Sequence, residues 1–116
     1  MEMGGLPMLE LTEQQIAILG RLRERGFALV AFPLYASHVG VRRGECAALL
    51  APVMGGGLRV YGDAFILVAG NPAVRVLRGG REVFVWKGSE VPATPERNAE
   101  LAAFADELAE SLLASV

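Results

Sequence analysis

Two groups of residues in this chain are of types that can do chemistry. The first is His38 with Cys46, the one imidazole and the one thiol. A cysteine nucleophile needs an adjacent base, so this pair works as a small thiol-dependent enzyme only if the two side chains touch. The second is a set of arginines and aromatics: Arg59, Tyr61, Arg75, Phe84 and Trp86. Rings and guanidinium groups of this kind recognise a partner surface or an anion and break no bonds themselves.

For the His38–Cys46 pair, everything turns on one hairpin. If Arg43-Gly44 is a two-residue turn, Arg42 pairs with Glu45 and the two side chains fall on opposite faces. A three-residue loop at 42–44 brings them onto one face. Both registers stay open, and a lone cysteine also serves as a small packing residue. Other motifs carry less. One His and one Cys cannot supply a four-ligand zinc site, and no cofactor is implied. The glycines at 55–57 and 62 lack the G-x-G-x-x-G spacing, and no lysine follows them as in a phosphate-binding loop. Glu82 and Glu90 have nothing to place them together as acid and base.

Charge is unevenly spread beneath a formal net charge of −2. Residues 27–90 hold seven basic side chains against four acids, and residues 91–116 hold five acids against Arg97. One reading is a basic sheet that attracts an anionic ligand or a single-stranded nucleic acid. The other is an acidic C-terminal helix that complements the sheet within the fold. Nucleic acid fits poorly, because the total charge is acidic and a backbone-tracking surface needs a positive balance.

The elements that must position these residues begin with a well-marked helix at 13–25. Thr12 and Gln15 have capping-box spacing, with Leu11 and Ile16 at the staple positions. Ile18, Leu19 and Leu22 form an apolar stripe, and Gly26 can take the left-handed cap. Phe27–Phe32 reads as a strand buried on both faces, ended by Pro33. Val39–Val41 is a further strand, while residues 45–53 are rich in helix formers and stand open between strand and helix. Gly62-Asp63 reads as a type II′ turn between Leu58–Tyr61 and Ala64–Ala69, and Gly70-Asn71-Pro72 as a loop. Gly79-Gly80 joins Ala73–Arg78 to Arg81–Lys87. Thr94 and Pro95 then open a second helix with Leu101, Phe104, Leu108 and Leu112 on one face.

Counting across the two glycine turns gives each hairpin an apolar face. These are Leu58, Val60, Phe65 and Leu67 in the first, and Val74, Val76, Val83 and Val85 in the second. The opposite faces mix arginine, aromatic and aliphatic residues, including Arg59, Tyr61, Arg75, Phe84 and Trp86. A solvent-facing sheet surface usually alternates to polar, so something should cover part of this one: the two helices split between the faces, a second subunit, or a ligand.

The expected fold is therefore one α+β domain over residues 1–116, with 1–10 a flexible lead. An antiparallel meander of six to seven strands, open or partly rolled, carries an N-terminal and a C-terminal helix. A run of up to seven strands followed by a C-terminal helix also resembles pleckstrin-homology-like barrels, which implies closure of the sheet. Function is unknown at this level. The leading expectation is a non-enzymatic binding or assembly module, a homodimer through the mixed face, with any small-molecule ligand unspecified. No apolar stretch is long enough to span a bilayer, and residues 1–9 do not read as a secretory signal. The single cysteine suits a reducing, cytoplasmic setting.

Overall fold

The computed structural model describes residues 10–114, so all but Glu10 of the expected flexible lead lies outside them. Helix α1 is Glu13–Glu24. Its start is the reciprocal cap: Gln15 N donates to Thr12 Oγ1 (3.1 Å) and Thr12 N donates to Gln15 Oε1 (2.9 Å). The other end of the same amide reaches across the molecule, with Gln15 Nε2 donating to Gly57 O at 2.9 Å. Gln15 is buried for this reason despite its polarity. Leu11 packs against the core and Ile16 faces solvent. Arg25 caps the C-terminus, and Gly26 follows at φ +95°.

The strands are β1 Ala28–Val30, β2 Val39–Arg43, β3 Cys46–Pro52, β4 Leu58–Val68, β5 Asn71–Pro72, β6 Val74–Arg78, β7 Arg81–Trp86 and β8 Ser89–Pro92, with a 3-10 turn at Pro33–Tyr35 after β1. They form an antiparallel five-stranded sheet, β1-β2-β3-β4-β5, and a three-stranded sheet, β6-β7-β8. Together these make a curled half-barrel. Helix α2, Pro95–Ala114, ends the described chain. Thr94 caps it, accepting from Arg97 N at 3.1 Å.

Several local expectations are corrected. Gly62-Asp63 is no hairpin: β4 runs straight through, pairing Ala47 with Phe65 and Leu49 with Tyr61. β3 advances two residues where β4 advances four, so Gly62 (φ +72°) sits in a bulge that bends the strand. The reversal comes later, at Ala69 (φ 52°) and Gly70 (φ +78°), and it makes the expected loop at 70–72 the short strand β5. Two successive positive φ values suit the right-handed strand twist, but at Ala69 the conformation is uncommon for a side chain with a Cβ, so the turn was hidden. Residues 46–52 are strand because β3 is central. Helix propensity yields where Cys46 through Leu50 are buried on both faces. β1, by contrast, is a short edge strand and not one buried on both faces.

Both helices pack on the same side. Ile18, Leu19 and Leu22 of α1 share one buried cluster with Leu101, Phe104, Leu108 and Leu112 of α2, and with Val41, Leu50, Ile66 and Phe84 from the sheets. The helices do not split between faces. Phe27 meets Phe104 edge-on at 5.6 Å, with the Arg43 guanidinium 4.6 Å above its ring. Such an aromatic pair adds about 0.5–1.5 kcal/mol beyond area burial. Across the helix pair, Arg25 donates to Ser111 Oγ (3.0 Å), which donates to Glu107 O.

The Gln15 amide must accept at one end and donate at the other, which a carboxylate cannot do. Gln15→Glu should therefore lower stability by at least about 2 kcal/mol at neutral pH. The deficit should shrink as pH falls through the carboxyl range and the new side chain regains a donor, measured by urea unfolding at both pH values.

Candidate functional site

The outer face of the five-stranded sheet carries a smaller buried cluster, Phe32, Ala47, Leu49 and Leu67, with Val30 and Phe65 against it. Phe32 gets there because Gly40 leaves room. A Cβ on Gly40 would lie 2.7 Å from Phe32 Cε2 and 2.6 Å from Val30 O. Pro33 then turns the chain into a 3-10 turn within the β1–β2 connection, residues 31–38, a strap that lies over the outer face through Phe32. Tyr35 lies edge-on to His38 at 6.4 Å, and the His38 ring sits 4.2 Å from Tyr61. Leu34, at the crest of the strap, is 77% exposed.

A hollow opens on each side of this strap. One, of about 260 Å³, lies between Leu34, Tyr35, Asn71, Pro72 and Trp86. The other, of about 420 Å³, lies between α1, β1 and the strap, with Leu19, Leu29, Phe32, Tyr35 and His38 in its wall. Phe32 and Tyr35 border both.

The expected arginine–aromatic set does not share one face. Arg59 and Tyr61 lie on the outer face of β4, opposite the core-facing Leu58 and Val60. In the small sheet the expected register holds, with Arg75 opposite Phe84 and Arg78 opposite Arg81, but the facing is reversed. Phe84 is in the main core, Trp86 packs on its margin, and Val74 on the valine face is 62% exposed. Arg75 stacks 4.8 Å over Phe84 and donates to Glu82 Oε1 (3.1 Å) and Asn98 Oδ1 (3.0 Å), clamping the start of α2 to the sheet. Trp86 is half-buried, with Lys87 Nζ 5.2 Å from its ring. The structure thus brings Tyr61 and Trp86 to the two flanks of the strap, commits Phe84 to the core, and engages the exposed Arg75 in the clamp on α2. The clustering of Tyr35 and His38 beside Tyr61 was not anticipated from the sequence. The signal was Phe32-Pro33, read as the end of a strand when the proline also starts the strap.

His38 and Cys46 are not brought together. The turn is Gly44-Glu45, with Arg43 opposite Cys46, one residue on from the expected pairing. Cys46 faces the main core, whereas His38 lies at the other end of β2 against outward-facing Tyr61. The five residues of β2 that separate the two ends span roughly 16 Å. Burial pushes the Cys46 thiol above its ordinary value, with Glu100 and Glu45 adding to the shift and Arg43 opposing it. Among the described residues, no group of three or more His, Cys, Asp or Glu could hold a metal ion, and no helix is long and apolar enough to cross a membrane. No family model, curated protein or solved structure matches the chain.

Two outcomes follow from this geometry. Gly40→Ala should cost about 1–3 kcal/mol in urea unfolding by displacing Phe32, and should move the ring resonances of Tyr35 and His38. Cys46 should react with iodoacetamide at least ~100-fold more slowly in the folded protein than in urea. Because the folded thiol holds its proton to higher pH than the unfolded one, stability should fall as pH rises past the ordinary thiol value of 9.0. Cys46→Ala should remove that component of the fall.

Proposed function

We propose that the chain is a non-enzymatic binding module whose recognition surface is the strap 31–38, flanked by Tyr61 and Trp86. The observation that carries this reading is the aromatic run Tyr61–His38–Tyr35, continued across a hollow to Trp86, with Leu34 exposed at its crest. Exposed aromatic and aliphatic groups beside ready-made hollows are what a partner's apolar groups can fill. Of the expected residues, Tyr61 and Trp86 stay in this site, Arg59 lies on the same sheet face as Tyr61, and Arg75 and Phe84 have structural work. Anion or nucleic-acid recognition has less support, since Arg43, Arg75, Arg78 and Arg97 are each paired with a carboxylate. The lone buried thiol supports a reducing, cytoplasmic setting.

Self-association is a second reading, and a different observation favours it. β6 is an outermost strand of the small sheet, and Val74 and Leu77 on it are 62% and 73% exposed. Antiparallel pairing of two copies along β6 would join two three-stranded sheets about a two-fold axis. Under this reading the homodimer forms through a sheet edge instead of the mixed face.

The dye 8-anilinonaphthalene-1-sulfonate should bind the folded protein saturably and change the emission of Trp86, the chain's one tryptophan. Leu34→Glu combined with Tyr35→Ser should weaken that binding about tenfold, a loss of ~1.4 kcal/mol, at an unchanged urea midpoint. Undiminished dye binding by the double variant would remove the strap reading. For the homodimer, sedimentation should show a concentration-dependent mass that Leu77→Lys abolishes, and a monomer at all concentrations would remove it.

A further inference from the structure

Within the strap reading, on which this inference rests, we propose that the hollow between α1 and β1 binds a neutral small molecule with an apolar body and one hydrogen-bonding group. Its volume, about 420 Å³, falls within the roughly 300–1,000 Å³ of small-molecule sites. Three independent features describe the occupant.

The first is Leu29. In the sheet register it lies opposite Val41, which lies opposite Ala48, and all three project to the same face. Val41 and Ala48 are fully sealed, whereas Leu29 stays 39% exposed, because the hollow separates it from Leu19 of α1. A core-facing leucine is left as an uncovered apolar wall. The second feature is charge: among the described residues, no Asp, Glu, Lys or Arg lines the hollow. An ionised ligand would lose its hydration there without a counter-charge, so a neutral molecule fits.

The third is His38, which lines the hollow and whose ring is backed by Tyr61 at 4.2 Å. Its Nδ1 is buried and has no hydrogen-bond partner. Buried polar atoms are nearly always paired, so the imidazole calls for a group that the described residues do not supply. The neutral ring can accept at one nitrogen and donate at the other. A hydroxyl satisfies either tautomer. The phenol and alcohol class is therefore the match: a hydrocarbon body against Leu19, Leu29 and Val39, and a hydroxyl at His38.

The test uses three probes with one ring system, 1-naphthol, naphthalene and 1-naphthoate, titrated into the full chain with methyl and imidazole resonances observed. Saturable shifts at Leu19, Leu29, Val39 and His38, with 1-naphthol binding at least ~tenfold more tightly than 1-naphthoate, are expected. His38→Phe keeps an aromatic ring at the site and should reduce 1-naphthol to the affinity of naphthalene. Leu29→Lys, at a position already partly open to water, should abolish binding of all three and decides the matter if the first variant is unstable. Equal affinity for the three probes, tighter binding of 1-naphthoate, or indifference to both variants overturns the proposal. Shifts confined to Leu34, Asn71 and Trp86 overturn it while leaving the strap reading intact. No saturable shift anywhere, together with absent dye binding, overturns both.

Discussion

Strand β4 has to serve every layer of the molecule at once, and the rest of the architecture follows from how it manages this. It pairs with β3 along one side and with β5 at its far end, and it packs beneath α2. Its even-numbered residues Leu58, Val60, Ala64, Ile66 and Val68 all belong to the main core or pack on it. An eleven-residue strand cannot keep one face on a curved core without bending. The two extra residues around Gly62 supply the bend, and because the excess is two and not one, the alternation of facing survives it. A single inserted residue would have turned Ile66 and Val68 outward.

With both helices on the other side, the strap is what covers the outer face of the large sheet among the described residues. Phe32 does that work from a seat made by the missing Cβ of Gly40, and Phe65 meets it edge-on at 5.7 Å. The cover is partial. Beyond Phe32 the same segment carries Leu34 and Tyr35 into solvent, so the element that completes the small cluster also presents the exposed aromatic surface. Buried and exposed side chains are divided along one short stretch of chain, with Pro33 at the boundary. The ion pairs are a lesser matter. They lie near the surface, where each contributes about 0–1 kcal/mol. Two of them, Arg43–Glu107 and Arg97–Glu45, tie α2 to the turn between β2 and β3.

Much of the fold was legible in the residues, and the exceptions have physical causes. The helix caps are local chemistry, so Thr12 with Gln15, and Thr94 with Pro95, located both helix starts. Gly79-Gly80 is conformationally unambiguous, and the whole β6–β7 register followed from it. Gly62-Asp63 misled because positive φ at glycine suits a bulge as well as a turn. Only the partner strand decides between them. Facing in the small sheet misled for a different reason: an all-valine face looks like core, yet Phe84 and Trp86 have more area to bury. Of the candidate site, Tyr61 and Trp86 were visible as exposed-type aromatics on strands. Tyr35 and His38 were not, because their placement depends on how a loop lies over the sheet.

The two-ended use of Gln15 also bears on the order in which the molecule assembles. The cap to Thr12 spans three residues and can close within a nascent helix, while the bond to Gly57 spans forty-two. Closing a loop of that length costs roughly 3 kcal/mol of chain entropy plus a constant. The two bonds use opposite ends of one amide and do not compete, so early capping leaves the donor free for later docking. Helix α1 can therefore flicker into existence on its own. Its docked position, by contrast, includes a bond that exists only once the 55–57 connection between β3 and β4 is in place.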